Sequence, residues 1–280
     1  GAGAASLAED ESLALGLARL ALKRAPKAPS VLESTAAIAL KYGEVDWAIN
    51  NLLKRAKMPP LGPRRAMDIL LKGQALRPGL IERFASQGIP EALMVSEELE
   101  RRGALGASIE VLEWANTTYP GHEVIETRYV ESCLLIPSCA PKLDDLSVKL
   151  LARSAEEQDP ATRMHARRLG YMVQAYLLNR SGQSRQARAL YEEVATLEPE
   201  RGFLPLSRAV QILLREGDVT KAQRHMSALQ RMATTGKERV LYQRLNAEIA
   251  KSKGNLKTAI EHIHKAIRIQ RRSPELYREL

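Results

Sequence analysis

Small apolar side chains recur along the chain at a nearly constant interval and in a fixed order. A glycine followed five positions later by an alanine recurs in this order at Gly43 and Ala48, Gly182 and Ala187, Gly217 and Ala222, and Gly254 and Ala259. With Ala14 added, the alanines are spaced by 34 residues near the start and by 35 and then 37 residues near the end. Such self-similarity is typical of repeated supersecondary units, and the pattern predicts pairs of antiparallel helices.

The clearest repeat covers residues 168–202 and indicates which residues form each part of a helical hairpin. Ala175 on a first helix would face Ala187 and either Val194 or Ala195 on a second helix, because antiparallel helices approach closely only where side chains are small. Glycine would end the first helix, since a left-handed residue costs it nothing. Proline would follow the second helix, because its ring cannot continue the hydrogen-bond ladder, and the prolines with this role are Pro26, Pro60, Pro120, Pro160 and Pro199.

The same offsets, with substitutions, divide the remaining chain. In the middle they reappear as Gly103, Ser108, Ala115 and Pro120, with Ser108 in the place of alanine. The predicted division is 1–28 (a tail and a half repeat), 29–62, 63–88 (a degenerate repeat placed by length alone), 89–122, 123–167 (with a turn lengthened by residues 136–141), 168–202, 203–239, and 240–280 with the C-terminal end.

These offsets resemble the tetratricopeptide repeat, a helix-turn-helix unit of 34 residues. The match is most complete in residues 168–202, where the matching residues are Tyr171, Ala175, Gly182, Ala187, Tyr191 and Pro199. The resemblance covers nearly the whole chain and implies an all-α fold, an α-solenoid whose repeats form a right-handed superhelix. It implies no particular function, because this type of repeat is found in scaffolds, chaperones, secretion components and regulators.

The pentatricopeptide repeat, which binds one RNA base per repeat, is the main competing resemblance. It fits less well, because that family's pattern includes neither a small residue seven positions after the alanine nor a proline at the end of the repeat. Here Ala115, Ala155 and Ala266 occupy the former position, and five prolines close repeats.

The resemblance also implies that the first helix of each repeat lines a concave face, which repeat proteins use to hold peptides or partner helices. Carried onto this sequence, the groove positions give seven candidate partner-binding residues: Tyr176, Asn179, Arg180, Gln211, Arg215, Arg244 and Lys251. The amide and hydroxyl groups would hydrogen-bond a peptide backbone, and the arginines would pair with acidic side chains or a carboxylate. A solvated helix face without a ligand is the alternative interpretation.

Composition agrees with a helical chain. Only 4% of the 280 residues are aromatic, whereas Ala, Leu, Arg and Glu are abundant, a mixture that favours helices over sheets. No apolar run approaches the roughly 20 residues that span a bilayer, so no transmembrane segment is expected.

Cys133 and Cys139 cannot form a disulfide framework and lack the spacing of a zinc site, so two reduced thiols are the favoured interpretation. The compartment, cytoplasmic or bacterial periplasmic, stays open, as does the oligomeric state.

Positive charge is concentrated in the second half of the chain. Residues 141–280 contain 26 Lys and Arg against 16 Asp and Glu, a net of +10, whereas residues 1–140 have a net of −1. A surface polarised in this way would attract an acidic partner. The alternative is that arginines spread along helices only keep the molecule in solution. The densest cluster, at Lys265, Arg268, Arg271 and Arg272, would complement the negative end of a helix dipole.

The sequence offers no recognisable catalytic or cofactor-binding motif. The five histidines have no metal-ligand spacing, and there is no glycine-rich phosphate loop or nucleophile elbow. We therefore expect no enzyme activity, no metal and no cofactor.

The favoured hypothesis is a non-catalytic scaffold that binds a protein or peptide of acidic character in its concave groove. By analogy, the setting would be a bacterial envelope, polysaccharide-export or secretion assembly. One alternative is a regulatory domain that senses a peptide or a small effector. A second is an RNA-binding helical-repeat protein, disfavoured because few aromatic residues lie between the basic ones.

Overall fold

The computed structural model describes residues 11–270 and 274–279, and in these ranges it contains sixteen α-helices and no β-strand. The all-α prediction is confirmed. The chain divides into two compact units, Gly1–Ser132 and Cys133–Leu280, called below the N-terminal unit and the C-terminal unit. Arg271 and Arg272 of the predicted basic cluster lie outside the described residues.

The N-terminal unit is a succession of short helices. They are α1 (Glu11–Arg24), α2 (Pro29–Lys41), α3 (Val45–Ala56), α4 (Gly62–Gln74), α5 (Leu80–Ala85), α6 (Ile89–Arg101), α7 (Leu105–Thr118) and α8 (Glu123–Cys133), the last of which ends at the unit boundary. Its core is a continuous cluster of buried apolar side chains, the largest of which is Phe84.

The C-terminal unit begins with a 3-10 helix, Pro137–Cys139, in the stretch predicted as a lengthened turn. Its α-helices are α9 (Ala140–Glu156), α10 (Pro160–Arg180), α11 (Ser184–Leu197), α12 (Phe203–Arg215), α13 (Val219–Met232), α14 (Gly236–Ser252), α15 (Leu256–Ile269) and α16 (Pro274–Arg278), with a second 3-10 helix at Pro199–Arg201. Cys133 and Cys139 are both buried and form no disulfide with each other.

Successive helices pack as hairpins, and the first helices of neighbouring hairpins also contact each other. The hairpins include α2 with α3, α6 with α7, α10 with α11, α12 with α13, and α14 with α15. First helices touch in both units, where α2 contacts α4, α4 contacts α6, and α12 contacts α14. Within each unit, this arrangement places first helices side by side on one face.

The repeated alanines lie at the contacts between paired helices. Ala48, Ala175, Ala187 and Ala222 have no exposed surface, as expected if a small side chain sets the distance between helices. Ala259, on α15, is only partly buried.

Glycine and proline separate the helices as the sequence predicts. The four glycines of the repeated pattern end first helices with positive φ angles of 75° to 86°, a conformation that strains residues with a side chain. Each of the five repeat-closing prolines lies beyond the end of a helix, and Pro160 itself begins α10.

Two first helices start earlier than the repeat boundaries placed them. The boundary between residues 167 and 168 falls inside α10, and the boundary between 239 and 240 falls inside α14. Both starts are determined by N-caps: Asp159 accepts a hydrogen bond from the Thr162 amide, and Thr235 forms a reciprocal capping box with Glu238. The caps add eight residues to the start of α10 and four to that of α14 relative to the predicted repeats.

We expect Ala187→Leu to lower the free energy of unfolding by about 1–3 kcal/mol, because the larger side chain would push α10 and α11 apart. Ala189→Leu is the matched control, since Ala189 is exposed on the same helix. Urea unfolding followed by circular dichroism measures both. Equal midpoints for the two variants would contradict the close helix contact at Ala187.

Candidate functional site

Three first helices of the C-terminal unit surround an open cavity of about 340 Å³. Helices α10, α12 and α14 contribute most of its lining, and the second helix α11 adds one tyrosine. We call this space the groove cavity. Its lining residues are Tyr176, Asn179, Tyr191, Arg208, Gln211, Ile212, Arg215 and Glu248. Four of the seven predicted partner-binding residues, Tyr176, Asn179, Gln211 and Arg215, therefore lie around one space.

The guanidinium groups of the cavity are held by neutral acceptors. Arg215 donates from Nη2 to the Asn179 side-chain oxygen at 3.1 Å, and Arg208 donates from Nη1 to Gln211 Oε1 at 3.1 Å. Neither arginine has a carboxylate partner among the residues that the structure describes. Their positive charges are oriented but not neutralised.

Arg180 lies one turn beyond Tyr176 on α10 and is positioned by it. Its guanidinium carbon is 5.8 Å from the centroid of the Tyr176 ring, within cation-π range. Nη1 also donates to the Tyr176 hydroxyl at 3.3 Å and to the Pro137 carbonyl at 3.1 Å. Within the described ranges Arg180, too, forms no ion pair, so it adds a third uncompensated cation beside the cavity.

Tyr191 and Ile212 form the buried part of the lining. Tyr191 is 2% exposed, and burial raises the pKa of its phenol to about 12, although Arg208 and Arg215 act in the opposite direction. The phenol therefore stays protonated and neutral at physiological pH. Its ring contributes apolar surface to the cavity.

Glu248 contributes the one carboxylate of the cavity lining. Partial desolvation raises the pKa of Glu248, the nearby Glu279 carboxylate raises it further, and Arg244 and Lys251 act against both. The side chain keeps substantial exposed surface, so the carboxylate is still available to a ligand.

The remaining predicted residues, Arg244 and Lys251, do not line the cavity. Arg244 forms an ion pair with Glu279, just beyond α16, in which its Nε lies 3.2 Å from a carboxylate oxygen. Lys251 is exposed on α14, one turn from Glu248. Both act on the cavity through the charge of Glu248 and not as lining groups.

Four lining residues are absent from the seven candidate partner-binding residues, although Glu248 is a groove position of the repeat pattern; they are Tyr191, Arg208, Ile212 and Glu248. Tyr191 is one of the residues of the repeat pattern and is buried. Arg208 could have been found from spacing, because it precedes Gln211 by three positions and Arg215 by seven and so shares their face of α12. Glu248 stands one turn after Arg244 on the same face of α14.

The groove cavity brings together side chains that can hydrogen-bond and pair with a ligand. Guanidinium and amide donors converge on a space with a tyrosine and an isoleucine in its wall, and no serine or cysteine lines it. In the described part of the chain, no group of three or more His, Cys, Asp or Glu residues is placed to hold a metal ion. Nor is any helix described there long and apolar enough to cross a membrane.

Comparison with known proteins identifies the fold. A crystal structure of a tetratricopeptide repeat protein from Parabacteroides merdae matches with a TM-score of 0.53 and 12% sequence identity, over 100% of this chain and 94% of the other. The chain thus has the fold of tetratricopeptide repeat proteins, as the sequence pattern predicts. The P58(IPK) tetratricopeptide domain aligns with 100% of this chain and 84% of its own, at a TM-score of 0.35 and 15% identity.

No protein-family profile and no curated protein matches the sequence.

We expect the pKa of Glu248 to rise further in Arg244→Gln, because a cation that favours the ionised carboxylate is removed. Glu279→Gln should lower it, since an anion is removed and Arg244 loses its partner. Nuclear magnetic resonance titration of the labelled side-chain carboxyl measures both shifts. Shifts of the same sign in the two variants would contradict this account of the charges around Glu248.

Proposed function

We propose that the chain is a non-catalytic scaffold that holds an acidic protein segment in the groove cavity of its C-terminal unit. The observation that carries this proposal is the set of cations at the cavity, Arg180, Arg208 and Arg215, whose hydrogen-bond acceptors in the described residues are neutral oxygens. The cellular setting, for which the sequence favours a bacterial envelope, polysaccharide-export or secretion assembly, stays a prediction.

An acidic ligand fits these arginines because charge-assisted hydrogen bonds are roughly twice as strong as neutral ones. A carboxylate can replace the amide oxygens of Asn179 and Gln211 as acceptors for Arg215 and Arg208. The displaced amides would then be available to the carbonyl and amide groups of a bound peptide backbone. The arginines are already oriented by their present partners, which reduces the entropy lost on binding.

An extended protein segment fits the site better than single-stranded RNA does. RNA recognition by base stacking requires accessible aromatic faces beside the basic groups. Here the ring of Tyr191 is buried and that of Tyr176 is engaged by the guanidinium of Arg180. The available groups are hydrogen-bond donors and cations, which match the carboxylates of acidic side chains.

Reversing two of the cations tests the site. We expect Arg180→Glu combined with Arg215→Glu to weaken binding of a fluorescein-labelled peptide of alternating Glu and Leu by about tenfold or more, because attraction is replaced by repulsion. Fluorescence anisotropy with the full chain gives the Kd.

The matched control is Arg224→Glu combined with Arg231→Glu, which changes net charge equally at two exposed positions of α13. Equal weakening by the control and the groove variant would mean that overall charge, and not the groove cavity, determines binding. Failure of the wild-type chain to bind the acidic peptide would also count against the proposal.

Glu248→Gln should strengthen binding of the same peptide by about a few fold, because it removes the carboxylate that faces the ligand. Since the pKa of Glu248 is raised, lowering the pH protonates it early, so wild-type affinity should increase as the pH falls toward the range in which the glutamates of the peptide themselves become protonated. The Gln variant should lack this increase. Glu261→Gln, at an exposed position of α15, is the control and should behave as wild type.

A further inference from the structure

The N-terminal unit contains a second cavity, of about 240 Å³, on the side formed by its second helices. Helices α5 and α7 supply most of the lining, together with residues near the ends of α4 and α6. We call this space the α5-α7 cavity. Its lining residues are Gln74, Ile81, Glu82, Ala85, Leu99, Ala107, Glu110, Val111 and Trp114. None of them belongs to the groove positions considered above.

The walls of this cavity are apolar and held in place by the core. Ala85, Leu99 and Val111 are 7% exposed or less, so they present their remaining surface mainly to this space. Trp114 keeps 36% of its surface exposed, and its ring packs edge-to-face against Tyr119 with centroids 6.2 Å apart. An apolar side chain that enters here would lose water-exposed surface against walls that need little rearrangement.

The charges at the edge of the cavity are all negative. Glu82 and Glu110 are both exposed, and no lysine or arginine lines the space. Neither carboxylate has an ion-pair partner among the residues described for this unit. Other carboxylates of the unit are paired, for example Asp46 with Arg83 and Asp68 with Arg102.

We propose that the α5-α7 cavity is a docking site for a protein segment in which one large apolar side chain is flanked by lysine or arginine. The apolar side chain would occupy the space between Leu99, Val111 and Trp114. The flanking cations would pair with Glu82 and Glu110, and one of them can also lie over the exposed indole ring, which attracts cations. The site therefore selects the opposite charge from the groove cavity and does not depend on that proposal.

Labelled peptides with defined flanks test this site. The probes are fluorescein-labelled peptides with one central Leu, Phe or Trp and flanks of Lys and Ala, compared with the same peptides carrying Glu in place of Lys. A third set has Ala at the centre and Lys in the flanks. We expect the full chain to bind the first set at least about tenfold more tightly than either of the others, by fluorescence anisotropy.

Variants then assign the binding to the cavity. Glu82→Lys combined with Glu110→Lys should weaken binding of the Lys-flanked peptides by about tenfold or more. Glu11→Lys combined with Glu261→Lys is the control, since both positions are exposed, unpaired in the described residues and equal in charge change. Glu82→Gln combined with Glu110→Gln repeats the test if the reversed variant does not fold. Trp114→Ala should also weaken binding.

Several results would overturn the proposal. These are no binding of the Lys-flanked peptides, equal binding of the Glu-flanked peptides, or equal binding of peptides with alanine at the centre. Equal effects of the cavity and control variants would show a general charge effect. Sedimentation that reveals a dimer of the wild-type chain, lost in the cavity variants, would show that a second copy occupies the cavity.

Discussion

The close approach of paired helices at buried alanines is the constraint on which the rest of this structure depends. Ala48, Ala187 and Ala222 have no exposed surface, and each lies on a second helix that packs against its first helix. The distance within each hairpin determines where the first helices lie, and those helices supply most of the groove cavity. Arg215 on α12 donates to Asn179 on α10, and α11 packs against both of these helices. The binding groups are thus positioned by residues that touch no ligand.

The sequence predicts the hairpins well because their signals are local. Glycine with a positive φ angle and proline beyond a helix each act within a few residues, so their spacing alone locates the turns. Helix length was predicted less well, since Asp159 and Thr235 extend α10 and α14 at their starts through caps that the repeat pattern does not include. The α5-α7 cavity could not be predicted, because the repeat that contains α5 was placed by length and its neighbours were unknown.

Composition also overstates how much of the positive charge is available to a partner. In the C-terminal unit, Arg168 is nearly buried and lies 3.0 Å from Glu198, and Arg188 lies 2.9 Å from Glu216 on the next hairpin. These arginines connect one element to another through ion pairs. Arg180, Arg208 and Arg215 differ because their acceptors are neutral. The sequence alone does not distinguish the two kinds of arginine, because the difference depends on where the carboxylates lie in the folded chain.

The two proposed sites together suggest why one chain would carry both. The groove cavity combines amide donors with uncompensated arginines, whereas the α5-α7 cavity combines an exposed indole with unpaired carboxylates. A segment that suits one site is repelled by the other, because the charges at the two sites are opposite in sign. Under the two proposals, the charges of each site would exclude the ligand of the other. Such a chain would join two dissimilar segments, which lets a scaffold order its partners.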